Sequence, residues 1–146
     1  MGQDLWAVYL ATEVRIELSS GEVVAVRAID GPVVDAWPLD AREAWIITAC
    51  NPRSVQLADA ENEARHLALG DALRTAGYQA LPATGCATDG SEWREPGYAV
   101  LDAPFHVIDD LARRWEQNAV FHWSPDRWVL VGVLMEGETS CGWRLA

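Results

Sequence analysis

The order of apolar runs and helical periods between residues 44 and 123 places the tightest constraint on the fold of this chain. Short apolar or β-branched runs are typical of strands, and longer stretches whose apolar residues recur with the helical period are typical of helices. In chain order, these patterns predict a strand at 44–49, a helix at 59–76, strands at 78–84 and 97–101, a helix at 103–117 and a strand at 119–123. This is the split βαβ order of ferredoxin-like folds. We therefore predict an α+β fold with a ferredoxin-like core, β-α-β-β-α-β.

Additional N-terminal and C-terminal strands are predicted around that core. Residues 14–18 alternate apolar and charged side chains, residues 23–29 are rich in β-branched side chains, and the Ser-Ser-Gly turn between them predicts a hairpin. Residues 128–134 are expected to form a second hairpin with the strand before them, so that the sheet is widened on both sides. We predict one domain over residues 1–146, divided into a β-hairpin extension at 1–43, the α+β core at 44–134 and a C-terminal tail at 135–146.

The charge balance argues against nucleic-acid binding. The chain has 22 acidic and 11 basic residues, a formal net charge of −11, and every basic residue is Arg. Affinity for a phosphate backbone comes from Lys and Arg, so an acidic surface repels nucleic acid on average. The absence of Lys also excludes a Schiff-base lysine and a P-loop lysine.

Neither a metal site nor a cofactor is expected. His66, His106 and His122 lack the HxxxH and HExxH spacings of metal sites, and the chain has no GxGxxG or Walker motif. The three cysteines are an odd number without CxxC spacing, which favours reduced thiols and a cytoplasmic location. No apolar run approaches the roughly 18 residues that a membrane span needs, so no membrane association is predicted.

In the predicted helix at 59–76, the face that points inward is polar near the N-terminus and apolar farther along. Leu69 and Leu73 lie on an apolar stripe, but Asn62 and Arg65 lie on the same stripe nearer the N-terminus. Burying these two side chains without partners is unfavourable, so they must be paired inside the protein or face a cavity. Two interpretations remain open. Arg65 and the helix N-terminus form a pocket for an anion, or Arg65 pairs with Glu95 while Asn62 holds the loop at Asn51.

Four short motifs carry a family resemblance. They are Ile-Thr-Ala-Cys-Asn-Pro at 47–52, Glu-Asn-Glu-Ala-Arg at 61–65, Trp-Arg-Glu-Pro at 93–96 and Gln-Asn-Ala-Val-Phe at 117–121. In this order and spacing the chain resembles the bacterial proteins grouped as domain-of-unknown-function family 3293. The resemblance implies a small bacterial protein and no established activity. The polar motif residues Asn51, Asn62, Arg65, Glu95 and Gln117 are expected to converge at one edge of the sheet.

Three functions are compatible with this polar set. The first is a binding module for a small polar or anionic ligand, or for a protein partner, through Asn51, Asn62, Arg65 and Gln117. The second is an enzyme in which Arg65 holds a phosphate- or carboxylate-bearing molecule and Glu95 acts as the catalytic acid or base. The third is a structural or adaptor protein in which the set is an internal network and the widened sheet pairs with another chain, as in a homo-oligomer.

Overall fold

Eight antiparallel strands close into a barrel in the computed structural model, which describes residues 4–146. The strands are β1 (Glu13–Glu17), β2 (Val23–Ile29), β3 (Ala44–Ile47), β4 (Ala80–Cys86), β5 (Arg94–Leu101), β6 (Ala119–Ser124), β7 (Arg127–Gly132) and β8 (Glu138–Leu145). Around the barrel their order is β1-β2-β8-β7-β6-β3-β5-β4, and β4 pairs with β1 to close it.

Three α-helices complete the described part of the chain, together with a short 3-10 turn at Pro52–Ser54. The helices are α1 (Leu5–Leu10), α2 (Asp59–Ala76) and α3 (Phe105–Arg114). The bounds of α2 are those predicted, and Gly77 ends it in the left-handed conformation at φ 84°. Its N-cap is Ala58, which offers no side-chain hydrogen bond, and Asp59 lies in the first turn. None of these helices is both long and apolar enough to cross a membrane.

The predicted ferredoxin-like α+β fold is wrong, because the sheet does not end at its predicted edges. Strands β6, β3, β5 and β4 do lie side by side, but β1 pairs with β4 and β2 pairs with β8. The N-terminal hairpin, which was expected to widen the sheet, and residues 138–145, which were expected to be a tail, therefore join the two edges of the sheet. Closure of the barrel removes free sheet edges. The adaptor hypothesis requires such an edge for pairing with another chain, and the described barrel has none.

Two hydrophobic layers flank the barrel wall. The inner layer fills one end of the barrel with Trp123, Trp128 and Trp143, all fully buried. The outer layer lies beneath α2 and α3, where Leu69 and Ile108 pack against the outward side chains of β3 and β5. Alternation along each strand separates the two layers, because successive side chains point to opposite faces.

The other end of the barrel is lined by small residues. The inward positions of β4 and β5 at this end are Ala83, Gly85 and Gly97, and β6 begins there with Ala119. A Cβ atom at Gly97 would collide with the Ile47 carbonyl oxygen, so only glycine allows β5 to approach the end of β3 so closely. Large side chains thus fill one end of the barrel and leave space at the other.

Candidate functional site

A cavity of about 650 Å³ occupies the end of the barrel that the small residues line, and α1 covers it. Its apolar wall comes from the inward positions of four strands, including Val14, Ile46, Phe121 and Leu130. Polar side chains surround its mouth, and they come from α1, from the loop after β3, from β5 and from the two residues before β6. They include Tyr9, Thr48, Asn51, Ser54, Glu95, Gln117 and Asn118.

The loop after β3 turns sharply at Asn51, which adopts the left-handed conformation at φ 49°. Asparagine tolerates this conformation better than most residues, and its side chain can hydrogen-bond nearby backbone groups. Its Oδ1 accepts from the backbone N–H of Leu57 at 3.0 Å, and its Nδ2 donates to Oε2 of Glu95 at 2.9 Å. Asn51 therefore connects the loop to β5 at the cavity mouth.

Asn62 is hydrogen-bonded to Asn51 but does not line the cavity. Its Oδ1 accepts from the Asn51 backbone N–H at 2.9 Å, and its Nδ2 donates to the Asn51 side chain at 2.8 Å. This is the loop-holding role that one interpretation of the sequence assigned to Asn62. The first turn of α2 thus fixes the orientation of a cavity-lining amide.

Arg65 also lies behind the cavity wall. Its Nε donates to the carbonyl of Ala49 at 2.5 Å, its Nη2 donates to the carbonyl of Trp115 at 2.6 Å, and its guanidinium carbon lies 5.3 Å from the centre of the Trp115 ring. Within the described residues it forms no ion pair with Glu95, contrary to the pairing considered from the sequence. Arg65 therefore joins α2 to the end of β3 and to the end of α3.

Gln117 extends the same network to the cavity wall. It is 6% exposed, and its Nε2 donates to the carbonyls of Cys50 and Trp115, each at 3.0 Å. Hydrogen bonds connect Asn62, Arg65 and Gln117 to residues 49–51 and connect Asn51 to Glu95, but of these five residues only Asn51, Glu95 and Gln117 reach the cavity.

Glu95 is the titratable group at the centre of this site. It lies at an inward position of β5, and burial raises its pKa to about 7, against the lowering effect of the Asn51 amide and the Thr48 hydroxyl. The other acidic residues around the cavity are Asp4 and Asp89. No Arg or His lines the cavity among residues 4–146, so the charged side chains that line it are all acidic.

Several cavity residues were missed by the sequence analysis. Asn118 donates to the Tyr9 hydroxyl at 3.2 Å and to Ser54 Oγ at 3.3 Å, and the Tyr9 and Ser54 hydroxyls are hydrogen-bonded to each other. Helix α1 has only six residues, too few for a clear helical period. The inward glycines and alanines of β4 and β5 are a signal that was present in the sequence, because small residues at alternate strand positions leave space in a barrel.

Metal ligation finds no support in the described part of the chain. No group of three or more His, Cys, Asp or Glu side chains there is arranged to hold a metal ion.

The fold and the site define a closed antiparallel barrel with one tryptophan-filled end and one polar-rimmed cavity. The family model described as "Protein of unknown function (DUF3293)" matches residues 47–120, about half of the chain, and the chain belongs to this family. The resemblance recognised in the four motifs is thereby confirmed. No curated protein and no solved structure matches the chain.

Proposed function

We propose that this chain is a binding protein that holds a small molecule, with an apolar body and a hydrogen-bonding head group, inside the barrel. The observation that carries the proposal is the cavity of about 650 Å³ with Glu95 and Asn51 at its mouth. Ligand cavities commonly measure about 300–1,000 Å³ and combine apolar walls with a few polar groups. Eight-stranded barrels have an interior that side chains fill or that holds one small ligand.

The lining of the cavity narrows the choice of ligand. The anionic ligand and the phosphate- or carboxylate-bearing substrate expected from the sequence depended on Arg65. The Nε and Nη2 groups of Arg65 donate to backbone carbonyls behind the wall, while carboxyl groups face the cavity. Repulsion between like charges disfavours an anion beside these carboxyl groups. The geometry therefore supports a neutral or cationic ligand.

The residues behind the wall support binding by preorganisation. A site binds its ligand more tightly when its polar groups are already held in place, because less conformational entropy is lost on binding. Asn62 fixes Asn51, and Arg65 and Gln117 fix the carbonyls of the adjoining loops. In this proposal Asn51, Glu95 and Gln117 contact the ligand, and Asn62 and Arg65 are positioning residues.

A cavity-filling variant tests the proposal. Ala119→Leu places a larger side chain in the cavity, whereas Ala64→Leu makes the same change at an exposed position of α2. Binding of the neutral dye N-phenyl-1-naphthylamine is measured by fluorescence. We expect wild type and Ala64→Leu to bind alike and Ala119→Leu to lose at least about tenfold in affinity. Failure of wild type to bind the dye, or equal binding by all three proteins, would contradict the proposal.

A second candidate function rests on the pKa of Glu95. A carboxyl group with a pKa near 7 is suited to general acid–base catalysis near neutral pH. The acidic side chains that line the cavity favour a neutral substrate over the anionic one expected from the sequence. With p-nitrophenyl butyrate as substrate, this alternative predicts turnover by wild type and its loss in Glu95→Gln. Equal rates in both proteins would exclude this role for Glu95 with that substrate.

A further inference from the structure

We propose that the head group recognised in the cavity is an alkylammonium group, which pairs with the Glu95 carboxylate while its hydrocarbon part occupies the barrel. The inference rests on the proposed function and deepens it by naming the chemical class of the ligand. It depends on a contrast between the buried carboxylate of Glu13 and the half-buried carboxylate of Glu95 at the cavity, and on the charged side chains that line the cavity.

The contrast is between Glu13 and Glu95. Glu13 lies on the outer face of β1, is 4% exposed, and accepts hydrogen bonds from Nε of Arg15 and Nε of Arg27, each at 2.8 Å. Although burial alone would raise the pKa of Glu13, the two guanidinium groups lower it. A buried carboxylate is normally paired in this way, because an isolated buried charge is costly.

Glu95 has no such partner among the described residues. Its Oε2 accepts from the neutral amide of Asn51, and it takes part in no ion pair. The adjacent Arg94 is directed elsewhere, since its Nη1 lies 2.9 Å from Sγ of Cys86. The guanidinium of Arg65 is bound to the carbonyls behind the wall. A cation that pairs with the ionised Glu95 would therefore come from outside the described residues.

The remaining groups around Glu95 also favour a cation. Two exposed acidic residues also line the cavity: Asp4, whose carboxylate caps α1, and Asp89, whose carboxylate accepts from the Ser91 backbone N–H in the loop between β4 and β5. The other titratable groups nearby are the Tyr9 phenol, which lines the cavity, and the Cys50 thiol behind the wall, whose pKa is raised by burial. The hydroxyl oxygens of Tyr9, Thr48 and Ser54 add hydrogen-bond acceptors. An ammonium group carries up to three donors and no acceptor, which suits this lining.

Three probes of equal chain length separate the possible head groups. Octylamine, octanol and octanoate are titrated by calorimetry into wild type, Glu95→Gln and the control Glu63→Gln, an exposed position on α2. At about pH 8 we expect wild type and Glu63→Gln to bind octylamine at least about tenfold more tightly than octanol, with octanoate weakest. Glu95→Gln should bind octylamine no more tightly than octanol.

The pH dependence of ligand affinity in the wild-type protein provides a second measurement, which does not require Glu95→Gln to fold. Because the amine requires ionised Glu95, its affinity should rise about tenfold from pH 6 to pH 8, while that of octanol stays constant. If octanol or octanoate binds as tightly as octylamine, or if the amine shows no pH dependence, the ammonium inference is overturned and the binding function stands. If none of the probes and no neutral dye binds, the proposed function falls with it.

Discussion

The Nδ2 atom of Asn51 lies 2.9 Å from the Oε2 atom of Glu95, so the loop after β3 and the strand β5 are joined by one hydrogen bond at the mouth of the cavity. Asn51 can make this bond because Asn62 holds both its backbone N–H and its side-chain oxygen. The carboxyl group at the centre of the site thus depends on a helix that never reaches the cavity. Several measurements follow from this arrangement.

Removal of the Asn62 side chain should destabilise the fold. Asn62→Ala deletes the acceptor of the Asn51 backbone N–H and one donor to its Oδ1, so partly buried polar groups lose their partners. We expect a loss of about 1–3 kcal/mol in the free energy of unfolding, measured by urea denaturation. Glu63→Ala, at the next and exposed position, should change it by less than about 0.5 kcal/mol. Equal effects of the two substitutions would show that the Asn62–Asn51 pair contributes nothing.

Arg65 should stabilise the fold through the geometry of its guanidinium group and not through its positive charge alone. Arg65→Lys keeps the positive charge but cannot reproduce a planar fork that reaches two carbonyls on different elements while stacking on Trp115. We expect a loss of about 1–3 kcal/mol in unfolding free energy, against a negligible loss for Arg74→Lys at an exposed position of α2. A fully stable Arg65→Lys protein with altered ligand binding would instead support direct contact between Arg65 and a ligand.

The raised pKa of Glu95 predicts a pH-dependent stability of known sign. The folded protein binds this proton more tightly than the unfolded chain, whose Glu titrates near 4.5, so stability from this group is complete below about pH 4.5 and is lost as the pH rises to about 7. The loss should reach about 2–3 kcal/mol. Glu95→Gln removes this titration. The unfolding free energy of the variant relative to that of wild type should therefore increase as the pH rises from 5 to 8.

Other acidic groups, including Asp4 and Asp89 at the cavity, titrate in both proteins and cancel in that difference. A difference that stays constant from pH 5 to pH 8 would show that Glu95 has an ordinary pKa in the folded protein.

Two glycines lining the cavity should respond differently to the same substitution. A methyl group at Gly97 would collide with the Ile47 carbonyl oxygen, a backbone atom that cannot move without disturbing β3, so Gly97→Ala should cost about 1–3 kcal/mol. At Gly85 the nearest atom is the Thr12 Cγ2, 3.4 Å away, an ordinary contact, so Gly85→Ala should cost less than about 1 kcal/mol. Thermal denaturation of both variants measures the difference. Equal melting temperatures would contradict the close approach of β5 and β3.

The local elements of this fold were largely predictable, and its closure was not. Helix α2 spans the predicted residues 59–76 and ends before Gly77, which adopts the left-handed conformation that glycine allows. The pairings of β1 with β4 and of β2 with β8 join strands far apart in sequence, and no periodicity within a strand specifies its neighbour. The predicted ferredoxin-like fold was wrong for this reason.

The sequence indicated which polar residues belong to the candidate site better than it indicated how they are arranged. Polar residues on the inward stripe of α2 indicated that Asn62 and Arg65 have partners inside the protein. The partners of Arg65 are backbone carbonyls, which are present at every residue and leave no trace in a sequence. Tyr9, Ser54 and Asn118 were missed because their cluster joins three distant segments.

The position of bound octylamine decides whether the ligand site lies inside the barrel. Methyl-selective NMR spectra of the wild-type protein, recorded during titration with octylamine, report separately on the two hydrophobic layers. If the ligand enters the barrel, the methyl resonances of Val14, Ile46 and Leu130 should shift, while those of Leu69 and Leu73 beneath α2 should stay in place. Shifts confined to the outer layer, or no shifts at saturating octylamine, would contradict a ligand site inside the barrel.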